Sequence, residues 1–305
     1  MLNRGLKILC LQAACSALSL FAGQASAESV VVASYNLRNY LPMERIVDGR
    51  EASLAPKPAD EIDAAVRIIR SIRPDVLGLI EIGGEEMVKD LQGRLADAGL
   101  DLPHSEWVRG ADPERHIALL SRLPIVARNS RDDVPFSLKG SRHRIGRGIL
   151  DVTLRAGPSQ TLRLVGAHLK SRRPVPDFDE SEVRAKEAWL LRQHLDGILS
   201  ANPRENLLLF GDLNATKNEY PIKLLAGSPG SDTRLRDLPL QDPHGARWTH
   251  FWPAADLYSR LDYFFASNHL WPLIDLTASG INNDPAWNRA SDHRAISTTI
   301  TFPKK

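Results

Sequence analysis

Cysteine is nearly absent: the 305-residue chain has two, Cys10 and Cys15, both close to its start. Beyond Cys15 no thiol remains for a disulfide, a thiolate metal site or a cysteine nucleophile, so stability has to come from an ordinary core. A long apolar run is also missing. Arg4 and Lys7 precede an apolar stretch from Ile8 to about Ala22, then Ala25-Ser26-Ala27. This is the three-part pattern of a secretory signal peptide. The stretch falls short of the roughly 20 apolar residues of a spanning helix, and LQAAC carries Gln where a lipoprotein signal requires an apolar residue. The pattern predicts cleavage after Ala27, a periplasmic or secreted chain of residues 28–305, and no stable membrane span.

An excess of one charge is lacking as well. Without Arg4 and Lys7 the chain carries 37 basic and 37 acidic side chains, so no bulk attraction draws it to nucleic acid or to a membrane. Any such work falls to local clusters: Lys139, Arg142, Arg144 and Arg147 in SLKGSRHRIGRG, and Lys170, Arg172 and Arg173 in HLKSRRP. There is no internal repeat and no linker rich in Gly or Ser, so residues 28–305 read as one α/β domain, expected as a monomer.

Strand and helix patterns alternate along that domain. SVVVASYNLRNY reads as a buried strand ending in polar residues. Asp60 is placed to cap a helix carrying Ile62, Val66, Ile69 and Ile72 at helical spacing, and Pro74 ends it. Val76 to Ile80 form a strand with Glu81 at its end, followed by a helix from about Glu85 to Ala98. HIALLSRLPI, RGILDVTL, TLRLVGAHL, NLLLF, SRLDYFFAS and RAISTTITF supply further strands, with a helix carrying Val183, Leu190, Leu191, Leu195 and Ile198 among them. Four stretches lack a pattern and are candidates for substrate-shaping loops: about 40–59, 132–146, 172–178 and 227–255.

In LLLFGDLNATKNE, Asp212 and Asn214 follow an apolar run. Alone they support two readings, a turn whose side chains bond to nearby backbone or a place where a carboxylate and an amide are held for chemistry. Other strand ends carry similar residues: Asn36, Glu81, His168, Asp262, and Asp292 with His293. Ligands of α/β sheets bind where strands end, so these ends can converge on one site.

SYNLRN, LIEI, AHLKSR, FGDLN, LDYFF and SDHRAI span residues 34 to 296. In this order they resemble the endonuclease/exonuclease/phosphatase superfamily, the deoxyribonuclease I-like enzymes. The resemblance implies a four-layer α/β sandwich, two mixed β-sheets packed face to face with helices on the outside. It implies hydrolysis of a phosphoester by in-line attack of water, assisted by Mg²⁺, with Mn²⁺ or Ca²⁺ as alternatives. By the same resemblance Glu81, Asn36 and Asp292 lie on the metal side. Asp212 orients and deprotonates the water, and Asn214 and His168 bind phosphate oxygens or assist the leaving group. His293 stabilises developing charge, with Asp262 fixing its imidazole.

Substrate is a separate question, because the superfamily spans nucleic acids, lipids and soluble phosphates. Arg147, Lys170, Arg172 and Arg173 are candidate phosphate clamps, which favours a nuclease acting on DNA or RNA. A sphingomyelinase or phospholipase C-like enzyme, or a phosphatase of small or inositol phosphates, is the alternative. A non-catalytic binding module is disfavoured because every matched position keeps a competent side chain. Against a lipid substrate, no WW or FW tip stands out between strand runs. Trp248, Trp252 and Trp287 either fill the core or meet substrate, and His250 has no matched role.

Overall fold

The computed structural model describes residues 28–174 and 178–303; the predicted signal segment, residues 1–27, lies outside the described residues. Two six-stranded sheets form the centre. One runs in the order Ile274–Ile281, Ile296–Phe302, Glu28–Tyr40, Val76–Ile82, His116–Ser121 and His104–Val108. The other runs Leu235–Asp237, Asp262–Ser267, Leu207–Asp212, Thr161–His168, Leu150–Arg155 and Ile125–Arg128. Each sheet has one parallel pair near its middle, Glu28–Tyr40 with Val76–Ile82 and Thr161–His168 with Leu207–Asp212. The remaining pairs are antiparallel.

The central strands are buried on both faces, which is why they read as unbroken apolar runs and not as alternating ones. Val30, Val32, Val76, Ile80 and Leu119 of one sheet meet Val152, Leu164, Leu208, Phe210 and Phe264 of the other in a core between the sheets. On the outer face of the first sheet, Tyr35, Leu77 and Leu79 pack with Ile62 and Ile69 of the helix Ala59–Ile72 and Leu91 and Leu95 of the helix Glu85–Asp97. On the outer face of the second, Val165, Leu209 and Phe265 pack with Leu191, Leu195 and Leu199 of the helix Glu180–Ala201. The four-layer sandwich implied by the resemblance is present.

Several local expectations are corrected. The first helix begins at Ala59 with Pro58, not Asp60, in the capping position. The Pro58 carbonyl accepts from the amides of Glu61 and Ile62, while Asp60 pairs with Arg289 at 2.5 Å on the surface. Three of the four stretches read as irregular hold β-hairpins: Met43–Val47 with Arg50–Ala55, Pro135–Leu138 with Ser141–Arg144, and His250–Trp252, which pairs with Leu257–Ser259. The third hairpin carries Phe251 and Trp252, so an aromatic FW hairpin exists where none was expected. Trp252 is 53% exposed, Leu257 46% and Tyr258 51%. Trp248 instead packs edge-on against Tyr258 and Trp287, with the Arg294 guanidinium 4.3 Å from its ring centre. The edge strand Ile274–Ile281 was not foreseen, because an edge with mostly exposed side chains carries no apolar pattern.

Two glycines open the space in which the sheets interlock. A methyl group at Gly78 would overlap the Phe210 ring, and one at Gly166 would stand 2.6 Å from it. Phe210 therefore fills a socket that spans both sheets. Its neighbour Gly211 has φ +137°, and a methyl there would overlap the Ala167 carbonyl, so only glycine fits between Phe210 and Asp212. Gly78→Ala is expected to cost about 1–3 kcal/mol through overpacking. Part of that loss should return in Gly78→Ala/Phe210→Leu. Urea denaturation of both variants checks this, and a fully stable single variant would mean that the socket is not filled.

Candidate active site

The sheet registers set a row of polar groups along one edge of the sandwich. His168 pairs with Asp212 across the parallel ladder, and Asp212 with Asp262 across the antiparallel one. The facing sheet contributes Asn36, after which its ladder shifts register, and Glu81, which lies within a second shift. Glu81 has φ +60° and Asn214 φ +48°. A left-handed backbone is tolerated by Asn but is costly for Glu, and the surrounding structure has to hold it.

Asp212 is the hub. Its Oδ2 accepts from the Asn36 amide at 3.0 Å and lies 3.6 Å from His293 Nε2 and 3.7 Å from His168 Nε2. Its Oδ1 accepts from the backbone amide of Asn214 at 2.9 Å, so the turn in GDLN both bends the chain and fixes the carboxylate. His293 Nδ1 is 2.7 Å from Asp262 Oδ2. Ser291 Oγ donates to the Asn36 carbonyl at 2.8 Å and accepts from the His293 amide at 3.0 Å, which ties the last loop to the first strand. Asn36, His168, Asp212, Asn214, Asp262 and His293 are all buried, whereas the Glu81 side chain is 20% exposed.

Burial pushes the Asp212 pKa up to about 7, with the Asp262 and Glu81 charges adding to the effect and His293 opposing it. For His293, burial alone would lower the pKa, but Asp262 and Asp212 overcome it and hold the imidazole well above its usual value. His168 goes the other way, driven far down by burial and by the cations of Arg147, His293, Arg115 and Lys170. One histidine is thus held as a cation and the other neutral on either side of one carboxylate. Such a split assigns donor and acceptor roles within one site.

Glu81 Oε1 lies 4.0 Å from His168 Nε2, while Oε2 accepts from the Asn39 amide at 3.1 Å. This leaves a hard oxygen donor whose charge reaches the buried Asp212 carboxylate, a setting that fits Mg²⁺, Mn²⁺ or Ca²⁺. The buried Nδ1 of His168 has no partner among the described residues. Asp212, Asp262 and His293 also lie close enough together to hold a metal. That arrangement would need His293 to give up the cationic form that Asp262 and Asp212 favour, so the Glu81 side is the better fit. Asp292 is not brought into contact with Glu81 among the described contacts. Its carboxylate sits 4.0 Å from His250 Nε2 and 3.4 Å from Ser291 Oγ.

The basic residues divide. Arg147 is buried, 3.1 Å from Asp112, and its charge acts on His168. Lys170 is half-buried and also acts on His168. The Arg172 Nε donates to the Asn214 carbonyl at 3.2 Å and its guanidinium is paired with Glu219, so it braces the GDLN loop. Arg173 is exposed. Lys139 and Arg144 pair with Glu182 and Asp133 on the surface.

Sequence reasoning missed three contributors. Arg115 donates to the Asn39 side chain at 2.7 Å and its charge reaches His168. Glu187, buried in a helix, accepts from the amides of Gly146 at 3.0 Å and Lys170 at 2.6 Å, and so joins the two basic segments. His250 stands 4.6 Å ring to ring from His293, and burial and the His293 charge push its pKa down to about 4. Only His250 left a signal, as a polar residue inside the THFW run.

A two-sheet sandwich with a carboxylate and histidine cluster on one edge defines a class of hydrolase architecture. The endonuclease/exonuclease/phosphatase family profile matches residues 33–293, and the chain belongs to that family, whose members are metal-dependent phosphoesterases. No curated protein sequence shows significant similarity to the chain. Among solved structures, the catalytic domain of human Nocturnin with a bound sulfate anion superposes with TM-score 0.64 at 18% identity, covering 90% of this chain and 95% of that one. Truncated Caenorhabditis elegans TDP2 gives 0.57 at 17%, covering 90% and 98%. Sphingomyelinase C from Streptomyces griseocarneus gives 0.57 at 18%, covering 89% and 99%. At such identities the likeness is one of fold.

Asp262→Asn is expected to lower kcat by about 10²–10⁴-fold, the range for losing a positioned acid or base, with an unaltered far-ultraviolet circular dichroism spectrum. A near-wild-type rate would show that His293 needs no carboxylate. A second expectation concerns pH. The raised Asp212 pKa means that ionising it opposes folding, so the metal-free protein loses stability as pH rises from about 4 to about 7. The raised His293 pKa adds stability below its unfolded value, and that stability is lost as pH rises through the folded value. A divalent cation should offset this charge, so saturating Mg²⁺ should raise Tm more at pH 8 than at pH 5. Equal increments at both would place the cation away from Asp212.

Proposed function

We propose that the protein is an exported, divalent-metal-dependent phosphodiesterase, a nuclease that cleaves DNA or RNA. The observation that carries the reading is the pairing of a catalytic carboxylate near neutral pKa with a surround of cations. Asp212, pushed up to about 7, can hold a water and take its proton close to physiological pH. His293, kept cationic by Asp262 and Asp212, donates to phosphate oxygens as their charge grows. The Asn214 amide donates to the Leu169 carbonyl at 3.0 Å, which holds that side chain beside the same edge. Neutral His168 is available to a phosphate or leaving oxygen. When bound on the Glu81 side, the metal supplies polarisation of the phosphoryl oxygens.

Arg115, Arg147 and Lys170 all act on His168, and the exposed Arg173 follows Lys170 by three residues to complete a basic rim in this reading. A polyanionic strand matches such a rim better than a single phosphate does. The signal-like first 27 residues support export. A second reading rests on the hairpin beside His293, bridged to it at His250, whose exposed Trp252, Leu257 and Tyr258 suit a lipid phosphodiester at a membrane surface.

Purified residues 28–305 offered plasmid DNA, RNA, sphingomyelin vesicles and a panel of phosphate monoesters, each with Mg²⁺, Mn²⁺, Ca²⁺ or EDTA, separate these readings. Turnover of nucleic acid with a divalent cation and none with EDTA is expected. Turnover of sphingomyelin alone would replace the nuclease reading with the lipid one, and turnover of nothing would remove both.

A further inference from the structure

A cavity of about 740 Å³ opens at the Leu235–Asp237 edge of the sheet that carries Asp212 and Asp262. Its walls come from the segment 216–218, the edge strand Leu235–Asp237, and Arg247, Arg260 and Trp271. Thr216 follows Asn214 by two residues, and Arg260 precedes Asp262 by two. Two residues of chain reach at most about 7 Å, so the cavity adjoins the catalytic centre without sharing a side chain with it.

Its charge is one-sided. Lys217, Arg234, Arg236, Arg247 and Arg260 line it with a single carboxylate, Asp237. Arg260 occupies that carboxylate through two hydrogen bonds, of 3.0 and 2.6 Å. Burial raises the Asp237 pKa even though the Arg260, Lys217 and Arg247 charges all reach it and oppose the rise. Arg236 donates to Asn268 Oδ1 at 3.3 Å and lies over the Trp271 ring. Lys217, Arg234 and Arg247 have no side-chain hydrogen bond or ion pair among the described residues. The buried Arg260 Nε has no hydrogen-bond partner either. Four further like charges around one hollow repel each other, in a chain whose acidic and basic counts nearly balance.

We propose that this cavity is a second anion site, which takes backbone phosphates of the nucleic-acid strand beyond the scissile one. The proposal rests on the nuclease reading above. Its chemistry is that of a chain of phosphates: Lys217, Arg234 and Arg247 contribute charge that no described side chain neutralises, while Arg236 and Arg260 lie over the rings of Trp271 and Tyr263. The strand enters past the segment 216–218, so a substrate gains affinity only once it is long enough to reach the cavity from the edge.

The test compares the wild type with Lys217→Ala/Arg234→Ala/Arg247→Ala on a dinucleotide and on oligonucleotides of increasing length, across a salt series. In the wild type KM should fall with length and rise with salt. In the triple variant the benefit of length should disappear, with KM for the longest substrate raised about tenfold and the salt slope reduced by about 1–2. Rates on the dinucleotide should stay within about twofold, as expected for charges that act only on distant phosphates. The charge-keeping Lys217→Arg/Arg234→Lys/Arg247→Lys variant should restore the length dependence. A triple variant with wild-type length and salt dependence would overturn the cavity proposal while leaving the nuclease reading standing. Titration of metal-free protein with inorganic tripolyphosphate supplies the other arm. If no nucleic acid is cleaved by the wild type, yet tripolyphosphate binds and the triple variant loses that binding, the anion site stands and the nuclease reading falls. If tripolyphosphate binds both proteins equally, the cavity is not an anion site.

Discussion

The structure depends on keeping one buried carboxylate usable. Asp212 sits among Asn36, His168, Asp262 and His293 with almost no access to water, where an isolated charge is strongly disfavoured. Its neighbours do not neutralise it outright. Asn36 and the Asn214 amide donate to it, His293 offers a cation at 3.6 Å, and Asp262 and Glu81 push back. The outcome is a carboxylate balanced near neutrality, which could either hold a proton or release it. Two neighbouring groups fit that balance: Asp262 holds His293 charged, and burial with nearby cations keeps His168 uncharged.

The architecture supplies this balance through its two parallel pairs. A parallel ladder brings the ends of neighbouring strands to the same edge, so His168 and Asp212 emerge side by side, as do Asn36 and Ile80 next to Glu81. Packing the sheets face to face then sets one pair of ends opposite the other. The Phe210 ring fixes how close the two sheets come, since it occupies the space left by Gly78 in one and Gly166 in the other. Phe210, Gly211 and Asp212 are consecutive, so the residue that sets the spacing between sheets is joined through a glycine-only position to the residue at the centre of the polar cluster.

This organisation was legible where burial leaves a pattern in the chain. Doubly buried strands appear as apolar runs, and the residues at their ends stand out by contrast; Asn36, Glu81, His168, Asp212 and Asp262 could be picked out in that way. Hairpins formed by exposed segments leave no such contrast, which is why Met43–Ala55, Pro135–Arg144 and His250–Ser259 read as loops. Charges are harder still. Nothing local distinguishes Arg172, paired with Glu219 and bonded to the Asn214 carbonyl, from the exposed Arg173 next to it. Arg115 and Glu187 act through partners 76 and 41 residues away, Asn39 and Gly146. A partner at that separation is chosen by the fold, so its identity cannot be read from neighbouring residues.

The same distinction bears on substrate. The carboxylate and histidine cluster sits on strand ends, where the sheet fixes geometry, but the elements that would meet the rest of a substrate come from hairpins and loops. Next to His293 lies an exposed aromatic hairpin, and the segment that follows the GDLN turn lines a cavity rich in cations. Apolar and cationic surfaces favour different phosphoesters, a lipid at an interface in one case and a polyanion in the other. Where the two flank one site, aromatic rings beside a phosphate and cations along the strand are the pair of features that a single-stranded nucleic acid can use together, because its bases stack while its backbone is tracked by charge. A lipid headgroup of one phosphate would leave the cationic cavity empty. The proposed nuclease reading thus uses both surfaces, whereas the lipid reading uses only the hairpin.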